Sequence, residues 1–406
     1  MRIAMVSEHA SPLAALGGPD AGGQNVYVAR LAEELARRGH DVTVYTRRNA
    51  ADLPDRVRLP GGAVVEHVPA GPPSPLPKDD LFPHMPAFGA HLARVWGHDR
   101  PDVAHAHFWM SGMASQLGAH GHGVPVVQTF HALGTVKRRH QGRRDTSPHE
   151  RIGIERQLGR TCDRVLATCT DEVHELTELG VPPRQVSVVP CGVDTGHFRP
   201  TGDGDTGVPA RRARHRLLAC GRLVPRKGFD RAIRALGRIP DAELLVAGGP
   251  EPGRLGADPE ARRLRRLADR AGPGERVRLL GAVDPARMPA LIRSADVVLC
   301  TPAYEPFGIV PLEAMACGVP VVATDVGGHR DTVADGRTGR LVPPGDPGAI
   351  AAAVRELLAD GELRRRCGAA GRDRVLARFT WQRVADGTEQ VYRQVLAAHP
   401  LSKEVA

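Results

Sequence analysis

Two glutamates, Glu305 and Glu313, are the residues of this chain best suited by type and spacing to bind hydroxyl groups. They lie in the segment 305–320, where Pro311 suits the first turn of a helix and Gly318 suits its end. The amides that precede such a helix are unpaired donors at its positive end. Along a helix the separation of the two glutamates is about 12 Å, so their carboxylates could bind hydroxyls at opposite ends of an extended ligand. A helix cap followed by a solvated glutamate is the alternative.

A basic loop, residues 221–228, directly follows a predicted strand and contains Arg222 and Lys227. A guanidinium and an ammonium group held by a proline-containing turn could bind a diphosphate from two directions. The alternative is a solvated basic loop. The spacing therefore indicates a diphosphate site without establishing one.

A glycine-rich loop, residues 17–25, joins the first predicted strand to the first predicted helix. Glycines at the start of a helix let a ligand approach the backbone closely, and the exposed amides there favour an anion. The loop has neither the Gly-Lys-Ser/Thr of a Walker A loop nor the G-x-G-x-x-G fingerprint. It predicts an anion site, with a structural turn as the alternative.

Two patterns raise the question of a metal ion. Asp203 and Asp205 form an Asp-x-Asp pair, but they lie in a glycine-rich stretch far from any predicted strand end, which indicates a solvated loop. His105 and His107 alternate along a strand and so share one face, but no cysteine or carboxylate at ligand spacing joins them. We therefore predict that the protein needs no metal ion and no other cofactor.

The composition excludes several classes of protein. A chain of 406 residues exceeds what one hydrophobic core usually organises, so two domains are expected. The 41% of apolar and 25% of charged residues are typical of globular proteins and exclude a disordered chain. No apolar run approaches the roughly 20 residues of a membrane span, and no secretory segment begins the sequence, so we expect a cytoplasmic protein.

The net charge limits the classes of binding partner, and the spacing of the cysteines bears on disulfides and zinc sites. A net charge of +9 is compatible with phosphorylated ligands, nucleic acid or an anionic membrane. Aromatic residues make up only 4% and no nucleic-acid motif is present, so we predict no nucleic-acid partner. We expect no membrane contact either, and a homodimer stays open. The seven cysteines form no CxxC pair, which argues against disulfides and zinc and indicates small buried apolar residues.

Short apolar runs alternate with longer amphipathic stretches, a pattern typical of βαβ units around parallel sheets. It predicts an α/β fold with two doubly wound, Rossmann-like domains, residues 1–198 and 213–380, facing a central cleft at the carboxyl ends of the strands. The polar, glycine-rich stretch 199–212 is the predicted linker. Residues 381–406 are predicted to form a helix that packs back on the N-terminal domain.

The individual elements can be predicted in outline. The strands predicted from apolar runs are 3–6, 42–45, 103–107, 124–129, 164–167 and 186–189 in the first domain and 217–220, 243–247, 277–280, 297–300 and 319–323 in the second. The helices predicted between them include 25–38, 230–236, 260–271, 286–293 and 310–317.

Four features together resemble the retaining glycosyltransferases of family 4, which include sucrose-phosphate synthases and a transferase of the mycothiol pathway. They are the spacing of Glu305 and Glu313, the loop 221–228, the glycine loop, and the triplet Thr129-Phe130-His131, and they occur in the expected order along nearly the whole chain. The resemblance implies a GT-B fold. It also implies that the C-terminal domain binds a nucleotide-sugar donor and that the N-terminal domain binds most of a small polar acceptor.

The resemblance implies roles for individual residues. The donor diphosphate is implied to contact Arg222 and Lys227, the hydroxyls of the donor sugar Glu305, and the ribose Glu313. Backbone amides are implied to contact the sugar at Phe307, Gly308 and Ile309 and the phosphate at Gly22 and Gly23. The residues implied to be catalytic are His131, which would lie beside the transferring sugar, Arg222, Lys227 and Glu305; the alternative for His131 is a histidine satisfied by the core. The acceptor is implied to contact Asn25, Lys78, Phe108, His131 and Arg151.

The predicted reaction transfers a hexose of glucose or N-acetylglucosamine type from a nucleoside diphosphate, expected to be UDP, with retention of the anomeric configuration. Prearranged donors stabilise the charge that develops on the leaving diphosphate, and no carboxylate nucleophile is predicted. The resemblance implies a front-face route in which the departing phosphate helps to deprotonate the acceptor. A sugar-nucleotide epimerase and a non-catalytic nucleotide-sugar-binding protein are the alternative functions.

The acceptor is less defined. Lys78 and Arg151 resemble positions that bind an acceptor phosphate. The mycothiol enzyme's pattern has a tyrosine and a threonine where this chain has Phe108 and Ala132, and both differences remove a hydroxyl that could bond that phosphate. They argue against inositol phosphate and leave another sugar phosphate, a cyclitol or an aminocyclitol open.

Overall fold

The structure is a computed structural model that describes residues 1–14, 22–202 and 207–399. The chain divides into two compact units: the first comprises Met1–Pro190 and Trp381–Ala406, and the second comprises Cys191–Thr380. The pair Asp203 and Asp205 and most of the glycine loop lie outside the described residues.

The first unit is built around an eight-stranded sheet. Its strands are Arg2–Val6 (β1), Asp41–Arg47 (β2), Arg56–Arg58 (β3), Val64–Val68 (β4), Val103–His107 (β5), Val126–Thr129 (β6), Arg164–Ala167 (β7) and Val186–Val188 (β8). The helices that connect them are Gly23–Arg37 (α1), Met85–His98 (α2), Trp109–Ala119 (α3), Gly134–Gln141 (α4), Arg151–Thr161 (α5) and Thr170–Glu178 (α6).

The strand order of this sheet is β3-β4-β2-β1-β5-β6-β7-β8. The strands run parallel, except that the short edge strand β3 pairs antiparallel with β4. All five residues of β5 are buried, as expected for a parallel strand covered on both faces. The order reverses between β1 and β5, which is the topological switch point where ligands of such sheets bind, outside the carboxyl ends of the strands.

The second unit contains a six-stranded sheet. Its strands are His215–Cys220 (β9), Ala242–Ala247 (β10), Val277–Gly281 (β11), Val297–Cys300 (β12), Val321–Thr324 (β13) and Gly339–Val342 (β14). Its helices are Phe229–Leu236 (α7), Pro259–Arg270 (α8), Met288–Arg293 (α9), Ile309–Ala316 (α10), His329–Thr332 (α11), Pro347–Ala359 (α12) and Gly361–Arg378 (α13).

The order in this sheet is β11-β10-β9-β12-β13-β14, and its paired strands run parallel. The switch point lies between β9 and β12, so the loops after Cys220 and Cys300 are the expected ligand-binding loops. Both units are thus doubly wound parallel sheets, which is the predicted fold class.

The last helix, Trp381–Ala398 (α14), belongs to the first unit. The ring of Trp381 lies 5.7 Å from that of Tyr27 in α1, and the Tyr392 hydroxyl lies 2.7 Å from Nδ1 of His105 in β5. Arg38 adds an ion pair to Asp386 at 2.7 Å. These contacts fix the helix against α1 and β5.

The structure places residues 191–198 in the second unit, whereas the first domain was predicted to end at residue 198. The amide of Val193 donates to the carbonyl of Phe379 at 2.8 Å, and the Phe198 side chain is buried in the core of the second unit. Arg372 also donates to the Phe198 carbonyl at 2.9 Å. Partners far along the chain therefore decide this boundary, and local composition does not show them.

The cysteines and the apolarity of the helices bear on the predictions made from composition. The seven cysteines all lie in the described residues and form no disulfide, and all except the half-buried Cys220 are buried, as expected for small apolar residues. Among the helices of the described residues, none combines the length and apolarity that a membrane span requires.

Candidate active site

The basic loop 221–228 follows β9 and is held against the end of β12. Its last residue, Gly228, has φ +69°, and a Cβ there would come within 1.9 Å of the Thr301 carbonyl oxygen. The Thr301 hydroxyl donates to the Gly228 carbonyl at 2.9 Å. Only glycine fits this close approach, and the approach fixes Lys227, the last residue of a 3₁₀ turn over Pro225–Lys227.

The structure brings Lys227 and Glu305 together. Lys227 Nζ donates to Glu305 Oε2 at 2.5 Å, and the two side chains are only 16% and 11% exposed. Burial alone would raise the pKa of Glu305, but Lys227, Arg226 and His329 nearby outweigh it and lower that pKa to about 2. The carboxylate is therefore ionised at neutral pH beside a fixed ammonium group. Arg222 lies exposed in the same loop.

A glycine pair supports the backbone next to Glu305. The amide of Gly328 donates to the Glu305 carbonyl at 2.9 Å. A Cβ at Gly327 would come within 2.2 Å of the same carbonyl oxygen, so this contact requires glycine. The loop leads into α10 through Gly308, which is the N-cap residue of that helix and has φ +76°. The amides of Phe307, Gly308 and Ile309 thus lie at the positive end of α10.

The segment 305–320 folds nearly as predicted. Its helix α10 spans Ile309–Ala316, and Gly318 follows its end with φ +75°. Glu313 is half-buried in α10. Burial raises its pKa to about 7, against the opposing charge of Lys227. Near neutral pH this group can therefore either accept or donate a hydrogen bond.

Replacing Glu313 by glutamine is expected to remove a pH-dependent part of the stability. The folded protein holds the Glu313 proton up to about pH 7, whereas an unfolded glutamate loses it near 4.5. The contribution of protonated Glu313 to the free energy of unfolding is therefore fully present below pH 4.5 and is lost as the pH rises through 7. The total loss in the free energy of unfolding is at most about 3 kcal/mol. Urea unfolding at pH 5 and pH 8 should show a larger loss for the wild type than for Glu313→Gln. Glu362→Gln, which changes an exposed glutamate, is the control and should behave like the wild type. An equal loss of stability in the wild type and in Glu313→Gln would contradict the raised pKa of Glu313.

Two residues at the switch point of the first unit have a strained backbone. Phe108 follows β5 with φ +86°, and His131 lies two residues after β6 with φ +62°. Non-glycine residues rarely adopt such conformations, and those that do cluster at functional sites. The strain supports a functional role for His131 over that of an ordinary core histidine.

The structure brings Lys78, Phe108 and Arg151 together. The Phe108 ring lies 5.1 Å from Lys78 Nζ and 4.9 Å from the Arg151 guanidinium carbon, which are cation–π distances. Burial, followed by the charges of Arg151 and Lys137, lowers the pKa of Lys78 to about 8. Lys137 pairs with Asp145 at 3.0 Å and Arg151 pairs with Glu155. Their charges nevertheless still oppose that of Lys78, which favours an anion beside it.

Arg151 is anchored as well as charged. Its side chain is 2% exposed, and Nε donates to Glu155 Oε1 at 2.7 Å. Its terminal nitrogens donate to Ser147 Oγ at 3.2 Å and to the Ala132 carbonyl at 2.6 Å. Three of the five N–H groups of the guanidinium are therefore engaged within the protein. Two N–H groups are left beyond these three bonds.

The start of α1 is organised by the side chain of Asn25. The Gly22 amide donates to Asn25 Oδ1 at 3.0 Å, and Asn25 Nδ2 donates to the Ser11 carbonyl at 3.0 Å. Asn25 thus caps α1 through Oδ1 and ties it through Nδ2 to the segment that precedes it. A phosphate on the Gly22 amide would have to replace Asn25, whereas Gly23 is the first residue of the helix.

His131 is buried against other aromatic side chains. Its Nε2 lies 3.0 Å from His107 Nδ1, and its ring lies 5.3 Å from that of Tyr27. Burial, and then neighbouring histidines, hold the pKa of His131 well below the usual range, so the ring is neutral. The His105 and His107 rings share one face, as predicted, with centroids 4.1 Å apart. His105 uses both ring nitrogens, bonding Tyr392 and Thr129. Independence from metal ions stays a prediction.

Comparisons with known proteins agree with these features. Residues 21–197 match the family Glycosyltransferase Family 4, and residues 209–374 match Glycosyl transferases group 1. The D-inositol 3-phosphate glycosyltransferase of Acidothermus cellulolyticus is 40% identical, over 98% of this chain and 91% of its own length. That of Xylanimonas cellulosilytica is 39% identical, over 98% of each. The chain belongs to glycosyltransferase family 4.

Solved structures of other glycosyltransferases share the fold. Sucrose-phosphate synthase from Thermosynechococcus elongatus superposes on this family 4 glycosyltransferase with a TM-score of 0.88 at 33% identity, covering 98% of this chain and 99% of the synthase. HepE of Anabaena, solved with UDP and glucose, has a TM-score of 0.75 at 20% identity, covering 97% of this chain and all of HepE. The predicted GT-B glycosyltransferase fold is confirmed, and the protein is an enzyme of this class.

Several residues of the glycosyltransferase site were not predicted from the sequence. Arg226 and His329 lie near Glu305 and help to lower its pKa. Lys137 adds a cation beside Lys78 and bonds Ser147 Oγ at 2.8 Å. Arg226 directly precedes Lys227 in the basic loop, so its place in the site could have been predicted from the sequence. His329 and Lys137 are far along the chain from Glu305 and Lys78, and only the fold brings them close.

Proposed function

We propose that this glycosyltransferase moves a hexose from a nucleoside diphosphate sugar to a small hydroxylated acceptor that carries a phosphate, with retention of the anomeric configuration. The observation that carries this proposal is the ion pair of Lys227 and Glu305, held at the start of α10 and at the carboxyl ends of β9 and β12. A fixed cation, an ionised carboxylate and the amides at a helix N-terminus are groups that suit a sugar diphosphate.

The costly step is departure of the diphosphate, because negative charge accumulates on it while the sugar becomes cationic. Lys227 is already positioned, so it can stabilise that charge without reorganisation, and Arg222 lies in the same loop. Glu305 would bind sugar hydroxyls. With a pKa of about 2, Glu305 is a poor general base at neutral pH. This supports the route in which the departing phosphate takes the acceptor proton.

For the acceptor, the cluster of Lys78, Lys137 and Arg151 supports a phosphate. The relatives named D-inositol 3-phosphate glycosyltransferase support a cyclitol phosphate in particular. The chain lacks side-chain hydroxyls at Phe108 and Ala132, but the Ala132 carbonyl holds Arg151 in place at 2.6 Å. We therefore infer a phosphorylated cyclitol, or a sugar phosphate of similar size, as the acceptor, and UDP as the nucleotide.

A thermal-shift screen of UDP-, GDP- and ADP-sugars, followed by acceptors with the best donor, tests the proposal. Ligand at a hundred times its Kd should stabilise the protein by about 2.7 kcal/mol. We expect product only with phosphorylated acceptors, and NMR should show the anomeric configuration of the donor retained. A 2-epimerised nucleotide sugar would identify an epimerase instead. Nucleotide binding without turnover or hydrolysis would indicate a sensor, and no stabilisation by any nucleotide would refute the donor assignment.

A further inference from the structure

The residues that precede α11 pack directly on the backbone that follows Glu305. A Cβ at Gly328 would come within 2.6 Å of the Phe307 carbonyl oxygen, so this close approach leaves no room for a side chain. His329 follows this glycine and is only 1% exposed. An atom at the Cβ position of Gly308 would lie 3.3 Å from Cδ2 of the His329 ring. The imidazole therefore lies against the N-cap residue of α10, and the proposed function gives it no part.

The backbone of β13 determines which ring nitrogen of His329 carries the proton. Nδ1 lies 2.9 Å from the Thr324 carbonyl oxygen, which can only accept, so Nδ1 donates. Burial lowers the pKa of His329, against the opposing effects of the Glu305 charge and the bond to Thr324, so the ring is neutral at neutral pH. A neutral ring with its proton on Nδ1 has an unprotonated Nε2, which is a hydrogen-bond acceptor.

The other edge of the ring is turned toward the candidate donor site. Nε2 is bonded to Cδ2, the carbon nearest to Gly308, whereas Nδ1 faces Thr324. The ring is also close enough to Glu305 and Lys227 for their charges to shift its pKa in opposite directions. Within the described residues, Nδ1 makes the only side-chain hydrogen bond of His329, so no protein donor satisfies Nε2. Because buried polar groups are normally hydrogen-bonded, this unused acceptor indicates a ligand.

We propose that His329 is a further donor-binding residue, whose Nε2 accepts a hydrogen bond from a hydroxyl of the donor hexose. This role rests on the proposed function, in which Glu305 and the amides at the start of α10 bind the same sugar. A hydroxyl can donate to Nε2, whereas the unprotonated phosphate oxygens of a nucleotide cannot. The ribose also carries hydroxyls, but a nucleoside diphosphate contains the ribose without the hexose, so the two sources can be separated.

Nitrogen-15 NMR of histidine-labelled wild-type protein tests the tautomer and its ligand without any turnover. The signal that is missing from His329→Gln assigns the residue. We expect a protonated Nδ1 and an unprotonated Nε2 before any ligand is added. The Nε2 signal should then shift with the nucleotide sugar that the thermal-shift screen selects, but not with its nucleoside diphosphate. A protonated Nε2, or an Nε2 signal that does not respond to the nucleotide sugar, would overturn the proposal.

Two substitutions separate the acceptor at Nε2 from the anchor at Nδ1. His329→Asn keeps an N–H group near the position of Nδ1 and loses Nε2, so it should weaken binding of the nucleotide sugar by about 10-fold. The affinity for the nucleoside diphosphate should stay within about twofold. His329→Gln can place its Oε1 near the position of Nε2 and should restore most of the affinity. His215→Leu, at the opposite end of β9 from the site, is the control and should change neither affinity.

Calorimetric titration distinguishes the possible outcomes. A purely structural role would give the reverse order, because His329→Asn keeps the bond to Thr324 and His329→Gln does not. That order, or an unchanged affinity for the nucleotide sugar in His329→Asn, would refute the proposal. Equal weakening of the nucleoside diphosphate and the nucleotide sugar would assign Nε2 to the nucleotide and refute the contact with the hexose. If no nucleotide binds the wild type, the proposed function itself fails.

Discussion

Lys227→Met is expected to lower kcat/KM for the nucleotide sugar by about 10²–10³-fold, the usual cost of losing one prearranged donor to a developing anion. The Lys227 side chain is only 16% exposed, and its ammonium group is held 2.5 Å from Glu305, so its loss removes a positioned cation. Steady-state kinetics with the donor found by the thermal-shift screen provide the measurement. Arg254→Met, which removes an exposed positive charge from the same unit, is the control and should have no effect.

Lys227→Met should also show how much the ion pair of Lys227 and Glu305 contributes to stability. Without Lys227, burial raises the pKa of Glu305 from its value of about 2. Lys227→Met and Glu305→Gln should each destabilise the protein, and the double variant should lose less stability than the sum of the two. Activity should stay low in the double variant. A kcat/KM within a factor of about two of wild type for Lys227→Met would show that the leaving group lies elsewhere.

Arg151→Met is expected to reduce the free energy of unfolding by about 3–5 kcal/mol, because it leaves the buried carboxylate of Glu155 without its partner. The two side chains are 2% and 0% exposed. Burial already raises the pKa of Glu155, and Arg151 is the main opposing charge. Urea denaturation provides the measurement.

Two further variants separate the structural from the binding role of this region. Arg151→Met/Glu155→Gln should recover much of the stability, because glutamine still offers an oxygen to the Gly134 amide, which donates to Glu155 Oε2 at 2.8 Å. Lys78→Met should keep the stability, since it removes a repelled cation, but should raise KM for a phosphorylated acceptor by about 10-fold or more. A loss below about 1 kcal/mol in Arg151→Met would contradict the buried-pair account.

The central strands were predictable because burial on both faces leaves a continuous apolar run. The predicted strands 103–107, 164–167 and 297–300 have the observed bounds. The strands that were missed lie at or next to the sheet edges: β3, β4 and β14. There the alternation with arginine, glutamate and glycine hides the strand, as in Arg56–Arg58.

The candidate site was predictable only in part. The sequence shows the glycine at 228 and the two glutamates, and the family resemblance gives their roles. It does not show that Glu305 bonds Lys227, because that contact depends on β9 and β12 becoming neighbours at the switch point. Nor does the sequence show that the Gly22 amide donates a hydrogen bond to the Asn25 side chain. Contacts between distant segments depend on tertiary packing, which periodicity and spacing do not describe.

Calorimetric titration of UDP, GDP and ADP into wild-type protein and into Arg222→Met/Lys227→Met tests most directly the claim that the loop 221–228 binds the diphosphate of the donor. We predict that at least one nucleotide binds the wild type and that the double variant weakens it by about 10²-fold or more, the cost of two charge-assisted contacts. Equal affinity in both proteins would contradict the account.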